Sequence, residues 1–439
     1  MPLMRKPWML LLAALAGLAL AGAAAAQRLP LTAGQGPLGQ VLGDVRSDVG
    51  AATRDVTGDV HTLGDDALDL SQARLDSLRA LVRANPRALD VDAHGQAVVR
   101  GEIMALDPAP EALGRARQAG FGVLRETSLE PLGLKLVVLS PPDGMAARDG
   151  LRRLRRLDPQ GQYDLDHIYA QSGEPASPAP PPPPGRVASA SAAPRVGMLD
   201  GGVDASHPAL AGAVEAQQGF ATGGVVAGAH GSAVASLIAG RGPKVSGAAP
   251  GARLVVADVY GSGPTGGSAE AIARALAFMA QQKVRVVNIS LVGPANLTVQ
   301  AAVRACVAHG ILIVAPVGND GPAAPPLYPA SYPGVIAVTG VDARGRPLPE
   351  AGHALHVDFA AAGSEVLAAQ PGGAYARLRG TSFAAPIVAG RLAVLLHGEG
   401  LGPASQAVAE LAAAARPSHG DRWLGKGLVD GAGTLRAAN

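Results

Sequence analysis

The chain has 439 residues, 48% of them apolar, and its 37 Lys and Arg against 35 Asp and Glu leave a net charge of +2. That is apolar material for two or three cored domains, without the basic excess a nucleic-acid binder carries. The 58 Gly and 36 Pro follow no period, which excludes a collagen-like chain, and the single Cys306 excludes an intrachain disulfide framework and a four-cysteine zinc site.

Arg5 and Lys6 precede an apolar run over 8–20 and an Ala/Gly stretch over 21–26. A basic start, an apolar middle and an Ala-x-Ala end describe a signal peptide over 1–26, cut after Ala26. The apolar run is shorter than the roughly 20 residues a membrane span needs, no Cys stands directly after the cut, and no later segment reads as a span. The mature chain is therefore expected to be exported, to the periplasm or the medium. Residues 27–95 read as a helical N-terminal extension. Val41, Val45, Val49, Val56, Val60, Leu63, Ala67 and Leu70 make one helical stripe, weakened by Gly43, Gly50, Gly58 and Gly64. A second helix over 71–84 stops before Asn85-Pro86.

Over 96–172 the pattern changes. Strand signals at 97–106, 122–126, 134–140 and 162–169 are interleaved with helix signals at 110–119 and 145–157. The order β-α-β-β-α-β is the ferredoxin-like split motif, a small α+β domain. Residues 173–185 are proline-rich and read as an extended, exposed and cleavable linker. From 186 to 439, strands at 195–199, 252–259, 284–291 and 311–316 alternate with helices at 268–282 and 299–309. That alternation predicts an α/β domain, a parallel sheet with helices on both faces. Residues 27–185 hold 17 basic and 21 acidic side chains, and residues 186–439 hold 18 and 14. Net charges of −4 and +4 suit two parts that dock.

Four short segments carry chemistry. Asp200 ends an apolar strand and precedes Gly201-Gly202, where open α/β sheets place ligands. His230 opens an apolar helical run, a position that suits a neutral base. Asn319 follows the strand at 311–316, and its amide is a donor for a developing oxyanion. Ser382 lies among small neighbours before a helix whose N–H groups face whatever the serine attacks. Taken singly, these are a turn former, a helix-start residue, a turn and an accessible hydroxyl. Taken together, in this order and 30, 89 and 63 residues apart, they resemble the subtilase serine proteases.

The resemblance spans about 186–435 and extends to 200–210, 230–235, 287–291, 328–338 and 425–430. It implies a subtilisin-like fold and a serine endopeptidase. Ser382 would be the nucleophile, His230 the base and later the acid, and Asp200 the partner that fixes the imidazole tautomer, with Asn319 and the Ser382 N–H holding the oxyanion. Ser290, Leu291, Val292 and Gly293 would pair with extended substrate, and Gly318 would line the same groove. His207, near Asp200 in sequence, would be structural. The partners are protein or peptide substrates, with no nucleic acid and no stable membrane span after signal cleavage.

The chain departs from the family's pattern in places. Ser232-Ala233 replace Thr-His, Phe383 replaces a common Met, and Ile387 a common His. Val292 stands where the family has Gly, which implies a narrowed groove and a preference for small or medium side chains before the cut. The loop 240–247 has no carboxylate and carries Arg241 and Lys244, so the family's calcium site there is expected to be absent. No metal or other cofactor is expected, calcium at another site staying open. Cys306 reads as a buried structural thiol.

A ferredoxin-like domain ahead of such a catalytic domain resembles the family's propeptide, an intramolecular inhibitor and folding aid. Asp-His-Ile-Tyr169-Ala170-Gln-Ser resembles its junction and implies a cut between Tyr169 and Ala170. Asp166 departs there, being polar where an apolar side chain is usual. The expected function is an exported, self-processed serine endopeptidase. The alternative is a catalytically silent or partner-activated subtilase scaffold acting as a binding or regulatory protein.

Overall fold

A computed structural model describes residues 72–171, 174–178, 193–242, 244–397, 399–418 and 421–430. The expected signal peptide, the expected helical stripe of 36–70 and most of the proline-rich stretch lie outside these residues. Among the described residues no helix is long and apolar enough to cross a membrane.

Helix α1 (72–84) leads into a hairpin of β1 (Leu89–Val91) and β2 (Ala97–Leu106). Leu78 of α1 packs with Leu89, Ala97, Val99 and Ile168, so the extension and the small domain share a core. That moves the start of the domain upstream of residue 96. Then come α2 (Pro110–Gln118), β3 (Gly122–Leu129), β4 (Leu134–Ser140), α3 (Ala147–Leu157) and β5 (Gln162–His167). The sheet is antiparallel, with β2 between β4 and β5 and β3 outside β4. This is the ferredoxin-like arrangement. Its two helices have buried Leu113, Ala116, Leu151 and Leu154, the 3–4 spacing that sets an apolar stripe against a sheet.

The strand expected over 162–169 ends at His167 because the chain changes partner. Ile168 bridges to Ser268, the Tyr169 N–H donates to the Gly267 carbonyl at 2.8 Å, and β6 (Ala170–Gln171) follows. The linker does not begin as free chain either. Residues Glu174–Pro178 form β7, an edge strand, where a proline costs no ladder bond.

The second domain is built on an eight-stranded sheet, parallel throughout. Its strands are β8 (Arg195–Asp200), β9 (Val214–Gly219), β10 (Arg253–Asp258), β11 (Val286–Ile289), β13 (Leu312–Pro316), β14 (Val335–Val341), β15 (Phe359–Ala362) and β18 (Leu428–Val429). The short β12 (Leu291–Val292) leaves the sheet after Ser290 to pair with β6. The single strand expected over 284–291 is thus split. A hairpin of β16 (Val366–Gln370) and β17 (Ala374–Arg379) stands apart and carries β7.

Strand alternation sends side chains to both faces. Val196, Met198, Leu254 and Val256 pack with α4 (Ala229–Ala239), α7 (Ala385–Leu395) and α8 (Leu401–Ala414). Leu199, Val255, Val287 and Ile289 pack with α5 (Ala269–Gln281) and α6 (Leu297–Ala308). Cys306 is buried in that second layer, its thiol 3.9 Å from the Leu276 carbonyl, and burial pushes its pKa up to about 12. It is a structural thiol.

The two domains meet at the starts of α5 and α6. Asp164 accepts from the Leu297 N–H at 2.8 Å and Asp166 from the Glu270 N–H at 3.0 Å. Both carboxylates sit at positive helix ends, whose first N–H groups have no partner within the helix. Asn296 donates to the Leu165 carbonyl and to His167 Nδ1, at 2.9 and 3.0 Å. Arg125 spans Glu102 of its own sheet and Glu270 of α5. Arg74 of α1 pairs with Asp320. These interdomain pairs run against the net charges, cation from the acidic half and anion from the basic half.

Candidate active site

Asp200 is the last residue of β8, at the carboxyl edge of the sheet, and has no exposed surface. Its carboxylate accepts from Gly201 N–H at 2.7 Å, and both of its oxygens lie 2.9 Å from His230 Nδ1. A buried carboxylate needs such donors to offset lost hydration. His230 stands in the first turn of α4. The next residue must be glycine, since a Cβ on Gly231 would lie 2.3 Å from the Gly201 carbonyl oxygen. Small size there lets the helix start close over the Asp200 turn.

Ser382 lies in a one-turn 3-10 helix, Thr381–Phe383, that runs into α7. Its carbonyl accepts from Ser290 Oγ at 3.0 Å, and the Asn288 amide donates to that same hydroxyl at 2.8 Å. The Phe383 ring lies 5.2 Å from the His230 ring, tilted by 46°. The serine segment and the histidine are thus brought together from residues far apart in the chain.

Asn319 follows β13. Its Oδ1 accepts from the Thr381 N–H at 2.9 Å and the Thr381 hydroxyl at 3.0 Å. Those two donors fix the amide's orientation and leave Nδ2 as the end turned away from Thr381. The hydroxyl of Thr381 also accepts from Gly318 N–H at 3.2 Å. Thr381 was not singled out from sequence. Its signal was its place before Ser382, where a hydroxyl and an N–H can hold an amide.

His207 is buried, with both ring nitrogens engaged: Nδ1 accepts from Ala209 N–H at 3.1 Å and Nε2 donates to the Ala374 carbonyl at 3.0 Å. It ties the Asp200 segment to β17. Ser232, a departure from the family's pattern, is buried and accepts from the Asp204 N–H at 3.0 Å.

Two of the residues expected to bind extended substrate, Leu291 and Val292, meet the chain's own β6. Leu291 faces Gln171 and Val292 faces Ala170, antiparallel. The Gln171 amide donates to Asp200 Oδ1 at 3.1 Å, a contact that sequence reasoning missed. On the other side, Glu174 faces Arg379, three residues before Ser382. Tyr169 is fully buried, and its carbonyl accepts from the Tyr260 hydroxyl at 3.2 Å. Tyr169 and Ala170, the residues of the expected cut, stand just upstream of Gln171, the residue that touches Asp200.

A family model described as the subtilase family matches residues 191–427. The chain belongs to the subtilase family. It is thus one of the subtilisin-like serine endopeptidases, whose substrates are proteins and peptides. The major intracellular serine protease of Bacillus subtilis (strain 168) is 34% identical over 46% of this chain and 67% of its own length. Thermitase of Thermoactinomyces vulgaris is 33% identical over 47% of this chain and 75% of its own length. Among solved structures, fervidolysin from Fervidobacterium pennivorans, a keratinolytic enzyme related to subtilisin, aligns with a TM-score of 0.63 at 22% identity. That likeness covers 76% of this chain and 60% of fervidolysin, and it shows the fold.

Proposed function

We propose that the chain is an exported endopeptidase made as a zymogen that processes itself, with Asp200, His230 and Ser382 as its triad. What carries this reading is the buried Asp200–His230 pair with both carboxylate oxygens at 2.9 Å, beside a groove that the chain's own segment occupies. His230 takes the proton of Ser382 Oγ as that oxygen attacks a peptide carbonyl. Asp200 holds the imidazole in the tautomer protonated at Nδ1 and stabilises the cation that forms. The Asn319 Nδ2 and the Ser382 N–H donate to the oxyanion, a contribution of roughly 10²–10³ in rate per donor. His230 returns the proton to the leaving amine. Water then repeats the sequence on the acyl-enzyme.

Residues 1–26 are the export signal, which supports a periplasmic or extracellular location. The domain ending at β6 is the intramolecular inhibitor. It covers the groove by strand addition, the mode in which a substrate's backbone joins a sheet edge. No cofactor enters this chemistry. The silent-scaffold alternative has one observation in its favour: β6 fills the groove and Gln171 takes up one Asp200 oxygen.

Intact mass of the exported full chain, wild type beside Ser382→Ala, tests the reading. A wild-type chain that has lost its N-terminal domain, beside a variant that starts at Gln27, supports it. Two chains of equal length, with no labelling by a serine-directed covalent probe, would turn the argument to the silent scaffold.

A further inference from the structure

We propose that Asn288 and Ser290 are positioning residues for the nucleophile: Asn288 orients the Ser290 hydroxyl, and that hydroxyl holds the Ser382 carbonyl. The inference rests on the protease reading above and adds two residues to its machinery.

Asn288 is at odds with its surroundings. It lies in β11, between β8 and β13, with no exposed surface. Its neighbours in register are Met198 and Val314, both in the apolar layer packed with α7. Central strands of a parallel sheet are covered on both faces and are normally apolar throughout. An amide there costs free energy unless its polar atoms are bonded. Only one end is: Nδ2 donates to Ser290 Oγ at 2.8 Å, while Oδ1 meets no donor among the described residues. An orphaned acceptor in the core is thus tolerated for a single donated bond, which points to a use for that bond.

The direction of the bonds gives the use. An amide N–H can only donate, so Ser290 Oγ accepts from it and keeps its one proton for another acceptor. That acceptor is the Ser382 carbonyl, 3.0 Å away. Ser382 leads into α7, and the N–H that a helix would offer its carbonyl belongs to residue 386, which is proline. Ser290 supplies the bond that Pro386 cannot. Just before Ser382, the N–H and hydroxyl of Thr381 are held by Asn319. The serine is therefore fixed on both sides, which sets the direction of its Oγ and of its own N–H. The Ser290 side chain is spent on Ser382, while the strand paired with β6 starts one residue later, at Leu291.

The test uses the full chain after export, given time to process, with casein as the substrate and Ser382→Ala as the blank. Ser290→Ala should lower kcat by about 10- to 100-fold, the cost of a small misplacement at the reacting centre, and leave KM within about twofold. Ser290→Thr keeps a hydroxyl and should stay within about threefold of the parent. Asn288→Leu leaves the hydroxyl in place but no longer oriented, and should cost about threefold in kcat. The double variant Asn288→Leu/Ser290→Ala separates positioning from packing. It removes the unpaired amide that Ser290→Ala leaves behind, so it should melt at a higher temperature than Ser290→Ala. Its kcat should nonetheless lie within about twofold of that variant's, because the two residues act as one unit. If Ser290→Ala does not fold, the double variant stands in for it against the parent. Parental kcat in Ser290→Ala or in the double variant, or Ser290→Thr as slow as Ser290→Ala, overturns the positioning roles and leaves the protease reading standing. No hydrolysis by the parent above the blank removes both.

Discussion

Where β6 lies on β12, the N-terminal domain is held by backbone groups, one buried ring and the Gln171 amide. Where β5 meets the starts of α5 and α6, it is held by ionisable side chains. On the proposed function, the first contact uses a surface that a peptide substrate would take. The second, with Asp164, Asp166, Arg125 and Glu270 at fixed places, fits this domain and no extended peptide. A domain held only by the groove would compete on equal terms with substrate. One held also by the helix ends stays in place after its tail is displaced. Loosening the second contact should therefore release the domain without changing what the groove accepts.

The contrast can be broken most strongly at Tyr169. In the uncut Ser382→Ala chain, Tyr169→Ala removes a fully buried ring and its bond to the Pro294 carbonyl. Truncating a buried aromatic costs about 3 kcal/mol, or roughly 100-fold in an opening equilibrium. Hydrogen exchange at the Val292 amide, the β12 amide on the β6 edge, should quicken by that factor, while the first N–H groups of α5 and α6 change far less. Equal acceleration at both places would show one cooperative contact instead of two.

Arg125 tests the other contact. It is 38% exposed and pairs with Glu270, 7% exposed, and Glu102. Arg125→Ala leaves these two carboxylates beside Asp166 with no cation between them. Part of the effect is screened by water, so about tenfold faster opening at the starts of α5 and α6 is the expected size. An unchanged rate there would mean that helix capping by Asp164 and Asp166 alone holds the sheet.

The two contacts also differ in how far they could be read from the chain. Short apolar strands, Gly-rich turns and the four chemical segments are local patterns, so the sheet, its two helical layers and Asp200, His230, Asn319 and Ser382 were legible. Thr381 and Gln171 were not, because each acts through a partner 62 or 29 residues away. The contacts of Ile168 and Tyr169 were not legible for the same reason. A strand's residues can be seen in sequence, but its register depends on which residues the neighbouring Ser268 and Gly267 engage. The net charges of the two halves pointed to docking, yet the pairs that dock them have the reverse polarity. Net charge counts every ionisable side chain, and an interface uses a chosen few.

Asp166 gives the finest test, because it separates the two contacts by pH. Its carboxyl is wholly buried, and burial first, then the charges of Glu270 and Glu102, push its pKa well above the usual aspartate range, outweighing Arg125 and the Glu270 N–H. An acid whose pKa is higher in the docked state is more easily docked when protonated. Docking is then at full strength below about pH 4, where the free aspartate is also protonated, and weakens as pH rises toward the raised value. Asp166→Asn keeps an oxygen for the Glu270 N–H, now 3.0 Å away, and removes the titration. The variant should therefore dock more tightly than the parent at pH 8, by several-fold, with a smaller advantage at pH 5. The ratio of variant to parent exchange at the start of α5, taken at each pH, cancels the intrinsic pH dependence of exchange. A ratio that stays constant would place the burden of the raised pKa inside the N-terminal domain instead of at the interface. The Val292 amide should follow this change only as far as the two contacts are coupled.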